Sequence, residues 1–397
     1  PPRVVAEVQD ERRLAVVQRA YRGPLEAVAS DRTISRMLLQ TLLHPGLAAF
    51  LRETLTSLDG NEFHLRPAGR LAGAPLKEIA ARVPRARVLG LVRDRAGDRT
   101  ALLGPPSDTV VEADDRVILL ARESADVEFE RSGSARVGTV HRPSRPAPSR
   151  RGRPSHRVLL LGWNARVPVL LQTLAARDDR HWDVDLLSFV PLEERRAALE
   201  GRDTGDALTL TQYEDDYLLE GVLEKLPLAD YRSIVLLTSD RLGSSEEADA
   251  RAIVGHRMLE ALLEGQDRQP HRIIELADAA NEGLVRGARA ETLIPPLLMS
   301  HVLAQLALRP ELGVVFNALF APDGPELEFH PCAHYRVRGS TTFAEFDARV
   351  AEAGDLLVGV RLRRAGDVPH ELVLNPPRDT SFEANDDLEA LVLTRGT

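Results

Sequence analysis

The chain repeats itself. Residues Pro105, Pro106, Asp108, Thr109, Glu112, Ala113 and Asp115 recur with identical spacing as Pro376, Pro377, Asp379, Thr380, Glu383, Ala384 and Asp386, an offset of 271. Ser35, Gln40, Pro45 and Leu47 return as Ser300, Gln305, Pro310 and Leu312, and Asp59, Gly60 and Glu62 as Asp323, Gly324 and Glu326. Glu7 and Asp10 match Glu275 and Asp278. The offset drifts between 264 and 271, as short loop insertions would make it. A sequence built this way folds as two tandem copies of one unit, and the complete copy shows what the unit contains.

The second copy is the complete one. Arg157 to Leu161 is an apolar run ending at Gly162, followed by a helical stretch to about Ala176 and a second strand at Val184 to Phe189. Strands at Ser233 to Thr238 and Arg272 to Leu276 alternate with helices at about Glu246 to Leu263 and Asn281 to Arg286. Continuous apolar strands separated by helices predict a parallel sheet covered on both faces, a Rossmann-like α/β architecture. Each copy ends in a small α+β module, Arg70 to Arg122 and Arg338 to Arg395. In the first, Val88 to Arg93, Thr100 to Leu103 and Arg116 to Ala121 read as strands and Leu76 to Arg82 as the helix.

The first copy contains only the end of the sheet pattern, its strand Arg3 to Val8 answering Arg272 to Leu276. The expected organisation is therefore the C-terminal part of a first Rossmann-like domain (1–65), its α+β subdomain (66–125), a linker (126–155), a second Rossmann-like domain (156–330) and a second α+β subdomain (331–397). The linker core, Ser132 to Ser155, is rich in Arg, Pro and Ser and cannot build a core. By the repeat's own arithmetic, the natural protein is expected to carry about 115 further residues upstream.

Composition removes several function classes. A net charge of -9 is the wrong sign for a surface that displaces counterions from nucleic acid. One cysteine, Cys332, excludes an intrachain disulfide framework. No stretch reaches the ~20 apolar residues that cross a bilayer. Lys77 and Lys225 are the only lysines, an arginine bias read here as that of a GC-rich bacterium. No Walker loop, G-x-S-x-G elbow or H-E-x-x-H occurs, so nothing specific supports an enzyme.

The turn Gly162-Trp163-Asn164-Ala165-Arg166-Val167 sits where a dinucleotide fold binds phosphate. That fingerprint needs glycine also at Asn164 and Val167, so NAD is disfavoured, and Ser188-Phe189 ends the second strand without a ribose-binding carboxylate. If the crevice holds a small molecule, Gly162, Asn164, Arg166 and Ser188 line it. Carboxylates gather on the predicted strand ends: Asp215 and Asp216, Asp240, Glu247 and Asp249, and Glu275. Hard oxygen ligands in one cleft suit calcium, whereas acids at a helix start, as at Glu246 and Glu247, also serve the helix dipole. His330, Cys332 and His334 alternate along an expected strand, which would place a zinc-type trio, or merely a half-buried face, on one side. The helices Ser35 to Leu43 and Ser300 to Leu308 are apolar on more than one face and are expected to bury a second face against another domain. The linker arginines Arg142, Arg145, Arg150, Arg151 and Arg153 are either solvated or apposed to anionic lipid.

Taken together, these residues resemble the regulator-of-potassium-conductance (RCK) domains of CASTOR/POLLUX-type ion channels. The matching features are Gly162-Trp163-Asn164, the helix start Ala248-Asp249-Ala250-Arg251, Ile274-Glu275-Leu276 with Asp278, the Asp59-Gly60-Asn61-Glu62 hairpin, and Pro376-Pro377 through Asp386. The resemblance implies two tandem RCK units behind a transmembrane pore domain upstream, on the cytoplasmic face of the membrane. It also implies a homo-oligomer, a tetramer whose eight units form a gating ring, with calcium-responsive members in the family. The expected function is a ligand-sensing segment of a bacterial cation channel, of potassium type or calcium-regulated. The alternative is a soluble nucleotide-responsive subunit of a potassium uptake system.

Overall fold

The computed structural model describes residues 1–397 apart from 57–59, 96, 131–154, 178, 203–204, 286–289, 322–323, 364–370 and 395–397. The linker arginines, Asp59, Asp323 and Arg286 lie outside the described residues.

The chain opens with β1 (Val4–Val8), α1 (Leu14–Ala20) and β2 (Leu25–Ala29), the two strands pairing in parallel. Two helices follow, α2 (Ser30–Leu43) and α3 (Leu47–Leu55). Next come β3 (Glu62–Pro67), α4 (Leu76–Ala80), β4 (Arg87–Arg95), β5 (Asp98–Leu103) and β6 (Arg116–Ala121), whose strands form an antiparallel sheet in the order β3-β6-β4-β5. The second copy starts with β7 (Ser155–Leu161), α5 (Val167–Ala175), β8 (His181–Ser188), α6 (Leu192–Leu199) and β9 (Leu208–Glu214). It returns through β10 (Ser233–Leu236), α7 (Ser245–Leu263), β11 (His271–Glu275) and β12 (Ala290–Leu293). Then α8 (Pro295–Leu308), α9 (Gly313–Leu319) and β13 (Glu326–Pro331) lead into β14 (Gly339–Thr342), α10 (Phe343–Glu352), β15 (Leu356–Leu362), β16 (Glu371–Leu374), β17 (Ser381–Ala384) and β18 (Leu388–Thr394).

Compact packing divides the chain into two units, Pro1–Ala48 with Ser149–Leu303, and Ala49–Pro148 with Ala304–Thr397. In the first, six parallel strands run in the order β12-β11-β10-β7-β8-β9. The chain builds outward from β7, then returns to lay β10 against its other edge, so the order reverses between β7 and β10. The predicted parallel sheet is therefore present. The C-terminal parts of its central strands are apolar on both faces because helices cover both: Leu159, Leu160, Leu161, Ile234, Val235 and Leu236 are all fully buried. The expected helix at Asn281 to Arg286 is a 3₁₀ turn, Ala279–Leu284, started by Asp278, whose side chain accepts from the Ala280 N–H.

In the second unit the two small sheets share one plan. β13-β18-β15-β16 reproduces the order β3-β6-β4-β5, and both sheets bulge at the same place, between Val88 and Gly90 and between Leu357 and Gly359. The glycines are required there: a Cβ at Gly90 would lie 1.9 Å from the Leu102 carbonyl oxygen, and one at Gly359 2.6 Å from that of Val373. Helix α10 is fixed by a reciprocal capping box between Thr342 and Glu345. The two subdomains are tied to each other by the half-buried Arg87–Asp347 pair and by Asn375, whose amide donates to the Arg85 carbonyl at 2.8 Å.

Two local expectations are corrected. Of the expected hairpin Asp59-Gly60-Asn61-Glu62, Asp59 lies outside the described residues, and Glu62 begins β3, whose partner is the distant β6. His330, Cys332 and His334 do not share a strand face: β13 stops at Pro331 and Cys332–Tyr335 is a 3₁₀ turn. The Cys332 thiol is buried and donates to the Asn385 carbonyl at 3.1 Å, while the His330 and His334 rings stack with centroids 4.6 Å apart. Stacked imidazoles direct their nitrogen lone pairs side by side and do not converge on an ion.

Candidate functional site: the crevice at the strand-order reversal

Open parallel sheets leave a crevice beyond the strand ends where their order reverses, because the flanking connections depart to opposite faces. Here it lies past the ends of β7 and β10. Gly162 leaves β7 with φ +103, and a Cβ on it would sit 2.5 Å from the Leu237 carbonyl oxygen. The tight turn of the dinucleotide fold is thus kept, although the residues that follow have other work.

Asn164 is buried, and its amide donates to the Thr238 carbonyl at 2.8 Å and to Glu275 at 3.4 Å. Its Oδ1 accepts the Arg166 N–H at 3.0 Å, and the Ala165 N–H donates to Asp240 at 2.9 Å. These are the loop amides that would face a pyrophosphate in a nucleotide-binding turn. Both are occupied by the chain's own oxygens. The Arg166 guanidinium and the Thr238 hydroxyl both bond Oε1 of Glu275, which is 3% exposed. Burying a carboxylate this deeply is costly unless donors such as these surround it.

The crevice has a roof. A narrow cleft, with about 10 Å³ of room for the centre of a water molecule, is lined on one side by Ile34, Ser35 and Leu38 of α2, and on the other by Val167 and Leu170 of α5 with Leu237. Its polar tips are Asn164, Arg166 and Glu275. The Ser35 hydroxyl reaches the Arg166 carbonyl at 3.4 Å. So α2, a helix of the first copy, seals the crevice of the second, and the expected second buried face of this helix packs on α5. At the start of α2, burial raises the pKa of Asp31, nearby Arg166 lowers it, and Asp10, Glu7 and Asp240 raise it further. Acidic groups thus gather at the crevice mouth around Arg166, with Arg12 on Asp10 at 2.7 Å and Arg241 beside Asp240 at 3.8 Å.

The remaining predicted residues are scattered along the strand ends. Ser188 is fully buried and caps its own turn by accepting the Val190 N–H at 3.1 Å. Asp215 accepts the Asp216 N–H, and Asp216 binds Arg251 at 2.6 Å. The Arg251 guanidinium also lies over the Phe189 and Tyr217 rings, at 4.9 and 5.7 Å, and burial pushes the Tyr217 hydroxyl up to about 12. Glu247 is in the first turn of α7, where its N–H donates to Ser244. Asp249 accepts the Ala277 N–H at 2.6 Å, the Asp278 N–H at 3.0 Å and the Asn281 amide at 2.8 Å. The structure thus brings Asn164, Arg166, Asp240 and Glu275 together. Among the described residues, no three of the six candidate carboxylates bring ligand atoms within 4.8 Å of one another. Ser35, Asp31 and Thr238 were not anticipated at the crevice; the recurrence of Ser35 at Ser300 was the one signal that pointed to the first.

Comparison with known proteins agrees with this architecture. Residues 31–135 match the family model described as "Castor and Pollux, part of voltage-gated ion channel". The ion channel CASTOR of Lotus japonicus is 23% identical over 411 residues, covering 95% of this chain and 47% of that protein. The probable ion channel POLLUX of Arabidopsis thaliana is 22% identical, covering 94% and 48%. The chain spans about half the length of the curated relatives it matches. Among solved structures, the human SLO3 gating ring superposes with a TM-score of 0.71 at 12% identity, over 100% of this chain and 81% of that one, which speaks to the fold. By sequence the chain is similar to the CASTOR and POLLUX ion channels, and by fold to a gating ring, with the Rossmann-like units expected of RCK domains.

Proposed function

We propose that the chain is the ligand-sensing segment of a channel's gating ring, on the cytoplasmic face of the membrane, converting occupancy of the crevice into a pull on a cation-selective pore. The observation that carries this reading is that a helix of one repeat closes the crevice of the other. Any ligand that prefers the open or the closed arrangement then shifts how two repeats are joined, and nothing more is needed for coupling. No helix among the described residues is long and apolar enough to cross a membrane, so the pore belongs to the remainder of the protein in this reading. A homotetramer carries eight such repeats. Val254 and Leu284, 49% and 58% exposed, offer apolar surface for contacts between subunits. The arginine bias supports a bacterial source for this channel.

Calcium is the proposed ligand class, supported by the acidic crevice mouth of Asp31, Asp240, Glu7 and Asp10. NAD is disfavoured because Asp240 and Asn164 already hold the loop amides. A soluble nucleotide-responsive subunit of a potassium uptake system is the second reading, favoured only by the retained Gly162 turn. Thermal unfolding with calcium, NAD, ADP and ATP separates them: ligand at 100 times its Kd adds roughly 2.7 kcal/mol. Stabilisation by calcium alone supports the first reading, and stabilisation by nucleotides alone overturns it.

A further inference from the structure

The outermost strand of a sheet presents unpaired N–H and C=O groups, and proteins blunt such edges with charge, proline, bulges or brevity. Among the described residues, the edge strands of five or six residues follow that rule: β1 and β2 each carry a glutamate, β5 has Asp98 and Arg99, and β3 and β13 carry charges and end in proline. The edges β12, β14, β16 and β17 are only four residues long. The exception is β9, last in the parallel sheet. Leu208–Glu214 runs for seven residues without proline or lysine, pairs with β8 without a shift of register, and carries its one charge at its final residue. Two ladder bonds fix which groups face outward: the Trp182 N–H donates to the Ala207 carbonyl at 2.8 Å, and the Asp215 N–H to that of Ser188 at 3.2 Å. By the alternation of a parallel ladder, Thr209, Thr211 and Tyr213 turn their backbone groups toward β8, whereas Leu208, Leu210, Gln212 and Glu214 turn theirs away from the sheet. An open groove of about 590 Å³ lies beside them, between Gln212 and α6, with Glu193, Arg196 and Glu200 along its rim. On the other face, the side chains of Thr209, Thr211 and Tyr213 are exposed.

We propose that this edge docks a second copy of itself, the two β9 strands pairing antiparallel about a two-fold axis at Thr211. The strand is complementary to itself in that register. Leu208 falls opposite Glu214 and Leu210 opposite Gln212, so each outward N–H and C=O meets a partner. Thr209 falls opposite Tyr213, and Thr211 opposite Thr211, at the closer positions that exchange no hydrogen bonds. A β-branched residue against an aromatic ring and a threonine against a threonine are pairs that stabilise sheets. No charge on the strand meets a like charge. The axis is normal to the sheet, so it brings both α6 grooves to the same face of the seam, where side chains of both signs meet. A strand seam alone is smaller than the roughly 1,200 Å² of a stable interface, so the pair exchanges and its population follows concentration. The inference goes beyond the sensing role proposed above and does not rest on it.

Cross-linking tests both the edge and its register. Cys332→Ser removes the single cysteine, and new cysteines are then introduced one at a time. Thr211→Cys lies on the axis, where Cα atoms about 4.5 Å apart permit a disulfide. Thr209→Cys lies two residues off the axis, which puts its two copies about 14 Å apart. Under mild oxidation the first should cross-link at least about tenfold faster than the second, or than the exposed Ser300→Cys. A mixture of Thr209→Cys and Tyr213→Cys chains should cross-link readily, because those positions face each other. Separately, Thr211→Lys changes an exposed side chain and should leave the Tm unchanged, yet halve the weight-average mass in sedimentation at high concentration, since two ammonium groups then meet on the axis. Equal cross-linking at 211, 209 and 300 overturns the proposal, as does a mass that Thr211→Lys leaves unchanged. Faster cross-linking of Thr209→Cys with itself than of Thr211→Cys also overturns it, because the strands then pair in another register.

Discussion

Asp249 decides between two meanings of a buried carboxylate. Its residue type and place at a strand end suit a calcium ligand, but its two oxygens are fully engaged by the backbone N–H groups of Ala277 and Asp278 and by the Asn281 amide. It is 1% exposed. Each hydrogen bond to an ionised group contributes about 1.5–3 kcal/mol, so three would sum to more than the expected loss, because the exposed Asp278 end can rehydrate. Asp249→Ala should therefore cost about 3 kcal/mol, most of it from the half-buried Ala277 N–H and the Asn281 amide left without acceptors. For a unit of about 200 residues that corresponds to a fall of roughly 6–12 °C in Tm. Thermal unfolding is measured in chelator and again in millimolar calcium. A structural carboxylate gives the same loss in both. A loss that appears only with calcium, or one below about 1 kcal/mol in chelator, refutes the assignment and returns Asp249 to the list of ligands.

Asp347→Ala strands the Arg87 guanidinium at the junction of the two subdomains and should cost about 3 kcal/mol, whereas Arg87→Met with Asp347→Leu should recover most of it; a urea titration of the single and double variants reads both. Gly90→Ala should destabilise by more than Gly359→Ala, both by calorimetry, since its Cβ meets a carbonyl oxygen 0.7 Å closer. Burial lowers the His156 pKa to about 4, so between the unfolded value of about 6.5 and 4 the unfolded chain binds the extra proton. Stability is then fully present above pH 6.5 and declines as pH falls toward 4, by at most about 1.4 kcal/mol per unit, and His156→Phe should flatten that slope in a pH series of thermal melts.

Much of the fold was legible because it rests on local rules repeated twice. The apolar run before Gly162, the Pro-Pro turns and three of the four strands of the first small sheet, β4, β5 and β6, all appear where pattern placed them. β2 and β12 escaped notice, being short strands, Leu25–Ala29 and Ala290–Leu293, whose glutamates Glu26 and Glu291 break the apolar run. Glu291 is in fact occupied, accepting the N–H groups of Gly46 and Ala48 and bonding His271 at 2.6 Å. The crevice was half legible. Residue types along one strand end announced Asn164, Arg166, Asp240 and Glu275, since that is where an open sheet collects polar groups. What they bond was not, because each answer lies far off in sequence: Asn164 to Thr238, Arg166 to Glu275, Ser35 to Arg166.

The points where the two copies differ tell more about function than those where they agree. Gly104 and Asn375 both precede a Pro-Pro pair, and both adopt a left-handed backbone, with φ of 59 and 43, because the turn into that pair demands it. Glycine does this at least cost, and asparagine is the usual second choice. The second copy accepts that cost and gains a side chain that reaches the Arg85 and Leu120 carbonyls and Asn61 of the first subdomain. At this point the pairing of the two subdomains is unequal: Asn375 donates across it, whereas Gly104 has no side chain with which to do so.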